Sequence, residues 1–531
     1  MNSRMLKTIS ALAAVAALAV PFGAFAAGFE YGPQGLHAVG RGGAFTVAAD
    51  DASAVYWNPS RLALFNGTQA YINLNMSYMD MSFKRADASL QRVSRDPETG
   101  AVIYGDFYDA ATQAERGYPH SFDTVENSNK LFPFGASLFL VSDFGLEDWG
   151  FGIGFHGPSA VGTVVMPNAF DAGNKYMFSK MDTLLMYVDL SVAWKYKEWF
   201  GLGVTFQYIM VPYLKYQMAI MGPASYSNQN TPVNNSNDII TDVNVSDWGS
   251  FSMLAGFWVR PLQMFKGMKK FEIGFNARVV PYEVNATGDI TVSGNDQSVY
   301  ANVSEKIPGR LNFTFPCHIQ TGIRYAYEWE GREVFDIEVD YVWENWAAMD
   351  KFTMSLLEDT EVAGAKMSAM DVIIPRNNVD THSVRLGGQW NAIDPWLTVR
   401  LGTWWESAAQ PYAWTNMDLP SWERFGVAVG ASTNIYGFEI GFSYNHIFQM
   451  SRDVTNGGIS QQIMDMTLVD GEPGTVMRGG YVVNNGHYES SIDVFTIGLS
   501  YTHKPKKAAV PVDDVLDVVT SNPDEPTVTI D

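Results

Sequence analysis

From about residue 69 onward, hydrophobic and polar side chains alternate with a period of two, the signature of a strand whose two faces meet different surroundings. Between Glu333 and Trp343, Phe335, Ile337, Val339, Tyr341 and Trp343 share one face, and Asp336, Glu338 and Asp340 share the other. Phe425, Val427, Val429 and Ala431 oppose Gly426, Ala428 and Gly430; Phe438, Ile440, Phe442 and Tyr444 oppose Glu439, Gly441, Ser443 and Asn445. The pattern predicts fourteen strands, at about 69–83, 130–142, 148–158, 181–197, 200–218, 244–260, 270–288, 312–328, 332–350, 379–392, 396–407, 421–434, 437–450 and 490–503.

The connections alternate too. Short turns such as 143–148, 197–199, 329–332, 393–396 and 434–437 are interleaved with long segments such as 84–129, 159–180 and 451–489. Short turns on one side and long loops on the other are expected of an outer-membrane barrel. Three carboxylates on one face of a strand are costly against lipid, so that face is assigned to the lumen. The fold class predicted is therefore all-β: a transmembrane antiparallel β-barrel of about fourteen strands.

Composition narrows this reading. No run of 18 apolar residues could cross a membrane as a helix, while aromatic residues reach 14%, charged residues only 17%, and there are 47 glycines, as interfacial girdles and many turns require. Residues 1–26 carry Arg4 and Lys7, an apolar run from Ile9 to Val20, and the small-x-small site Ala24-Phe25-Ala26, which reads as a cleaved secretory signal. The single Cys317 leaves no disulfide framework. A formal net charge of -22 argues against nucleic-acid binding, and acidic outer loops suit divalent cations among lipopolysaccharide phosphates. The eight histidines show no H-E-x-x-H arrangement, and there is no G-x-S-x-G elbow or Walker loop, so no enzyme, metal or cofactor is called for. The residues after Thr502 include Lys504, Lys506 and Lys507 and then an acidic, Pro-rich stretch; 504–531 is expected to be a disordered periplasmic tail.

One stretch fits neither strand nor turn. Residues 27–66 are rich in glycine, too short for a domain, and include the turn-forming pair Asn58-Pro59. Ala27-Gly28-Phe29, Gly35-Leu36, Gly40-Arg41-Gly42, Ala49-Asp50-Asp51 and Asn58-Pro59 together resemble the N-terminal hatch of the FadL/TodX family, outer-membrane channels for long-chain fatty acids and other hydrophobic molecules. Ser60 and Arg61 depart from the Ala-Gly that usually follows Asn-Pro there, which leaves the close packing of that turn open. The resemblance implies a plug inside residues 67–503, loop capture of the substrate, a lumenal pocket bordered by Phe29, lateral exit through a kinked third strand, and a monomer in outer-membrane lipid.

Gly157-Pro158 is placed at that exit, with an ordinary strand end as the alternative. Alternation turns Arg324, Arg385 and Arg400 inward. They either neutralise the lumenal carboxylates and anchor the hatch, or take a fatty-acid carboxylate in the pocket. Residues 178–186 and 213–226 are candidate capture loops. Hydrocarbon uptake is the nearest alternative; a porin for polar solutes or a surface-binding barrel would not need the plug.

Overall fold

The computed structural model describes residues 33–504 apart from 90, 96–101, 158–162, 168–169, 171, 223–237, 262–270, 295–300, 303, 363–364, 368 and 470–471. Among the described residues a single antiparallel sheet closes on itself as a barrel of fourteen strands. They are β1 (Thr68–Arg85), β2 (Leu131–Ser142), β3 (Trp149–His156), β4 (Lys180–Tyr196), β5 (Phe200–Met221), β6 (Asp238–Val259), β7 (Phe271–Val280 and Tyr282–Gly294) and β8 (Ser304–Phe315 and His318–Trp329). The circuit continues with β9 (Arg332–Glu344 and Lys351–Leu356), β10 (Met370–Pro375 and Thr381–Ile393), β11 (Leu397–Glu406), β12 (Arg424–Ile435), β13 (Phe438–Val454) and β14 (Gly486–His503). Closure comes from β1 pairing with β14 along its whole length, from Thr68↔His503 to Arg85↔Gly486.

The predicted faces are the observed ones. Phe335, Ile337, Val339 and Tyr341 are exposed on the outside, whereas Asp336, Glu338 and Asp340 are buried inside. Proline breaks the ladder at Pro281, between the two parts of β7, because it has no N–H to donate. The short connections and the outer ends of β1 and β14 (Thr68 and His503) define one rim, called the inner rim; the long connections define the outer rim.

Several strands run further toward the outer rim than their periodicity suggested. Residues 213–221 belong to β5 and 180–186 to β4, so most of the two candidate capture loops is barrel wall. Alternation continues through both segments, with Met181, Leu185, Leu214 and Tyr216 turned inward and buried. In residues 84–129 and 451–489 further hairpins form, at Gln91–Arg95 with Val102–Phe107 and at Ser460–Val469 with Glu472–Val482.

The lumen is filled in two layers. Toward the inner rim lies residues 33–65, with α1 (Leu36–Gly40), α2 (Ala54–Trp57) and a 3-10 turn at Pro59–Leu64, nearly all of it buried. Toward the outer rim lies a large apolar cluster that includes Met79, Phe83, Met181, Tyr216, Val243, Leu311, Phe352 and Trp422.

Candidate functional site: the hatch and the apolar lumen above it

An irregular segment buried inside a barrel must find partners for its backbone N–H groups. Here four consecutive ones are met by two carboxylates of β9. Asp340 accepts from the N–H groups of Phe45 and Thr46, both at 2.9 Å. Glu338 accepts from Val47 at 2.6 Å and Ala48 at 2.9 Å. The Arg41 guanidinium enters from the hatch and lies 2.6 Å from Asp336 and 3.2 Å from Glu338, all three side chains being buried. Burial disfavours the charge on Arg41, but Asp336 and Glu338 outweigh it and raise its pKa above the ordinary arginine value.

The hatch backbone can come this close because the facing wall is glycine. A Cβ on Gly402 would sit 2.0 Å from the carbonyl carbon of Arg41, and one on Gly203 would sit 2.4 Å from the backbone of Pro59 and Ser60. The face that reads as small residues in the sequence is thus the seat of the plug.

The Asn58-Pro59 turn is the second anchor. Asn58 Nδ2 donates to the Thr46 carbonyl at 2.8 Å, and its Oδ1 accepts from Ser60 N at 3.2 Å and Ser60 Oγ at 2.6 Å. Ser60 is fully buried and its carbonyl accepts from Trp258 Nε1 at 3.1 Å, so the close packing survives the larger residue. Arg61 is also buried and pairs with Glu272 at 2.9 Å.

The third anchor is His37 in α1. Its Nδ1 lies 2.8 Å from Asp50 and 3.5 Å from Asp51, and its Nε2 lies 2.8 Å from Glu439 of β13. Burial and the nearby Arg400 oppose a charge on the imidazole, but Glu439, Asp50 and Asp51 prevail and raise its pKa to about 10. His37 is therefore an imidazolium donating from both nitrogens. Asp51, by contrast, is raised by burial, although it accepts from the Ser53 N–H at 2.9 Å. Gly40 ends α1 against β12 and β13, and Gly42 takes a positive φ of 62° that returns the chain toward β9.

The inward arginines sit at this level, beside the hatch. Arg324 bridges Glu333, at 2.5 Å, and Asp336, at 3.1 Å. Arg385 donates to the Gly43 carbonyl at 3.4 Å, and Arg400 donates to Ser432 Oγ at 2.7 Å and to Glu439 at 3.3 Å. Arg324 also borders an open pocket of about 550 Å³ at the inner rim, together with Asp50, Arg61 and Glu333. None of the three lines the apolar cavity described next. Phe29 and Pro158 lie outside the described residues.

Above the hatch the apolar cluster encloses about 20 Å³, lined by Met181, Leu214, Tyr216, Met218, Phe352 and Met354 among others. That volume holds little more than one water. A hydrophobic guest must therefore displace side chains, which unbranched methionines allow most readily. Residues 407–423, between β11 and β12, fold inward over this layer, with Met417 and Trp422 fully buried.

Among the described residues the β3–β4 ladder runs from Trp149↔Trp194 to His156↔Tyr187, and Val164 pairs with Met181 further along β4. Gly157 follows the last pair of the first stretch. At this point His156 Nε2 lies 2.8 Å from Asp189, both fully buried, and its ring contacts Tyr56 of α2 with centroids 5.4 Å apart. Sequence reading missed His37 and the His156–Asp189 pair. Their partners are distant in sequence, and the one available signal was a histidine amid otherwise small or apolar residues.

The family model described as outer membrane protein transport protein (OMPP1/FadL/TodX) matches residues 17–474. No curated protein matches the sequence. Among solved structures, a FadL homologue of Pseudomonas aeruginosa superposes with a TM-score of 0.64 at 14% identity, covering 90% of this chain and 100% of its own. The Ralstonia pickettii toluene transporter TbuX gives 0.57 at 13% identity, with 89% and 98% covered. The P. putida toluene transporter TodX gives 0.54 at 12% identity, with 90% and 99% covered.

Proposed function

Because the chain belongs to the OMPP1/FadL/TodX family of outer-membrane transport proteins, we propose that it is a passive channel for long-chain fatty acids or similar hydrophobic molecules, releasing them sideways through the wall at β3. The physical problem is desolvation. Each buried CH2 is worth about 0.8 kcal/mol, so a sixteen-carbon chain pays roughly a dozen kcal/mol to cross water, and a continuous apolar path removes that barrier. The apolar layer supplies such a path from the outer rim, and its small free volume implies that methionine side chains yield as the substrate enters.

The observation that carries lateral release is the apolar layer lying directly above a polar, ion-paired hatch. A greasy molecule would meet Arg41, Asp336 and Glu338 if it continued along the axis. Leaving through the wall keeps it out of that charged layer. No nucleotide is required; movement follows the concentration gradient.

The hydrocarbon alternative has its own support. Arg324, Arg385 and Arg400 are engaged with carboxylates, a serine and hatch backbone, and two of the similar structures are toluene transporters. The test is uptake of radiolabelled oleate and toluene by cells lacking their own channels, comparing the intact protein with the double variant Gly157→Val, Pro158→Val. Loss of uptake with the barrel still assembled supports exit at this position. Unchanged uptake removes the exit from β3, and no uptake of either probe by the intact protein removes the transport reading.

A further inference from the structure

Four consecutive strands of the wall break at one height: β7 at Pro281, β8 at Pro316-Cys317, β9 at 345–350 and β10 at 376–380. The breaks lie side by side. Asn345 N–H donates to the Cys317 carbonyl at 3.0 Å, and the N–H groups of Arg376 and Asn377 both donate to the Asp350 carbonyl, at 2.7 and 2.8 Å. Pro281, Pro316 and Pro375 stand at three of them, and a proline cannot donate to a ladder; a 3-10 turn at Trp346–Ala348 fills the fourth, and Asn377 takes a positive φ of 50°. The row reaches β6, whose ladder with β7 skips residues 247–252. Side chains stand in there: Ser252 Oγ donates to the Val280 carbonyl at 2.7 Å, and Asp247 accepts from Asn285 N–H at 2.8 Å.

Above the row, Tyr282–Gly294, Ser304–Phe315, Lys351–Leu356 and Met370–Pro375 pair in that order as a four-stranded flap. Its outer face is polar, with Glu283, Asn285, Arg310, Lys351 and Asp371 exposed, whereas the strands below the row expose Ile319, Ile323, Val339 and Leu386. The flap therefore stands beyond the apolar belt and moves without carrying charge into lipid. Its inner face supplies Leu311, Phe352, Met354 and Ile374 to the lining of the apolar cavity.

One edge of the flap is free. Met370–Pro375 pairs with Lys351–Leu356, and no other strand pairs with it on its far side among the described residues. At the foot of that edge stands the inward-folded segment 407–423, the tongue. The tongue is pinned from the opposite side: Arg452 Nη1 donates to the Gln410 carbonyl at 2.9 Å, Asn484 Nδ2 to the Ala413 carbonyl at 2.9 Å, and Gln449 Nε2 to the Pro420 carbonyl at 2.7 Å. Toward the flap, Arg376 Nη1 lies 2.5 Å from Asp418 Oδ2, and Val379 N–H donates to the Ala409 carbonyl at 2.8 Å. Parting this clasp strands neither charge. Asp418 keeps the Tyr216 hydroxyl at 3.1 Å, and the guanidinium carbon of Arg376 stays 4.1 Å over the ring of Phe352, which belongs to the flap.

We propose that the outer parts of β7–β10 are a hinged gate, and that substrate enters the lumen between its free edge and the tongue when the Arg376–Asp418 clasp parts. This rests on the hydrophobic-transport reading and goes beyond it by assigning the entry route and the element that opens it. A cavity of about 20 Å³ admits no guest until a wall moves, and the flap is the wall with a row of breaks at its foot.

The test locks the parting line. In a Cys317→Ala background, Arg376→Cys and Asp418→Cys are joined by a short, reducible bifunctional methanethiosulfonate, and uptake of radiolabelled oleate and toluene is measured in channel-deficient cells before and after reduction. The expected result is uptake of both probes about tenfold or more lower in the linked protein than in the same protein after reduction. Equal uptake before and after reduction overturns the gate, and so does absence of uptake in both states with the barrel folded. A second measurement leaves the clasp in place: spin labels at Asp371→Cys on the flap and Ala413→Cys on the tongue are expected to show a longer distance population when oleate or toluene is added. An unchanged distance distribution overturns the proposal even where the linked variant fails to fold. Failure of these tests in a protein that takes up either probe removes the gate alone, whereas uptake of neither probe by the intact protein removes the transport reading beneath it.

Discussion

Replacing Arg41 by Met tests how the hatch is held. The methionine fills similar space but removes the cation that Asp336 and Glu338 share at 2.6 and 3.2 Å. Taking one partner from a buried ion pair costs about 3–5 kcal/mol, because the remaining charge is left uncompensated. Asp336 retains Arg324 at 3.1 Å, and Glu338 keeps the N–H groups of Val47 and Ala48. The lower end of the range therefore applies: about 3 kcal/mol, or roughly a hundredfold shift from seated toward released hatch.

Hydrogen–deuterium exchange of the protein in lipid nanodiscs reads this directly. Peptides covering residues 41–49 are expected to exchange roughly a hundredfold faster in the variant, with peptides from β13 and β14 unchanged. A rise below about threefold would refute the reasoning, because the ion pair would then contribute nothing to seating. An equal rise across the barrel ladder would refute it differently, since Arg41 would be holding the barrel and not the plug.

Three further outcomes follow from the same seat. The His37 pKa is raised from an unfolded value near 6.5 to about 10, so its stabilisation is fully present below about pH 6.5 and is lost as pH rises through about 10. Exchange at residues 36–43, corrected for the intrinsic rate, should lose protection over that window, and His37→Gln should abolish the pH dependence. Gly402→Val places side-chain atoms where the Arg41 carbonyl now lies, so the hatch is expected to lift and single-channel conductance in planar bilayers to rise; conductance equal to the parent would count against the glycine seat. Asn58→Ala removes the acceptor used by Ser60 and the donor to Thr46, a loss of about 1–2 kcal/mol that should speed exchange of residues 54–62 about tenfold.

Much of this protein is written locally. Period-two alternation fixed which residues of β9 face lipid and which face the lumen, because an intramembrane strand has only two environments and a charged side chain tolerates one. Connection lengths distinguished the two rims for the same local reason. The stretch from 27 to 66 announced a plug through its resemblance to the FadL/TodX hatch, and its glycines permit the close backbone contact that the seat uses.

Closure of the barrel decided what local pattern cannot carry. Arg41 meets Asp336 and Glu338, and His37 meets Glu439, only because fourteen strands return the wall to the hatch, and pairings across hundreds of residues leave no trace in spacing. Alternation turned Arg324, Arg385 and Arg400 inward but did not say at what depth; strand register set them beside the hatch and not in the apolar layer. Arg376 lay hidden for a related reason. Its meaning depends on an irregular loop, residues 407–423, folding into the lumen to bring Asp418 to it, and an irregular loop has no period from which its direction can be read.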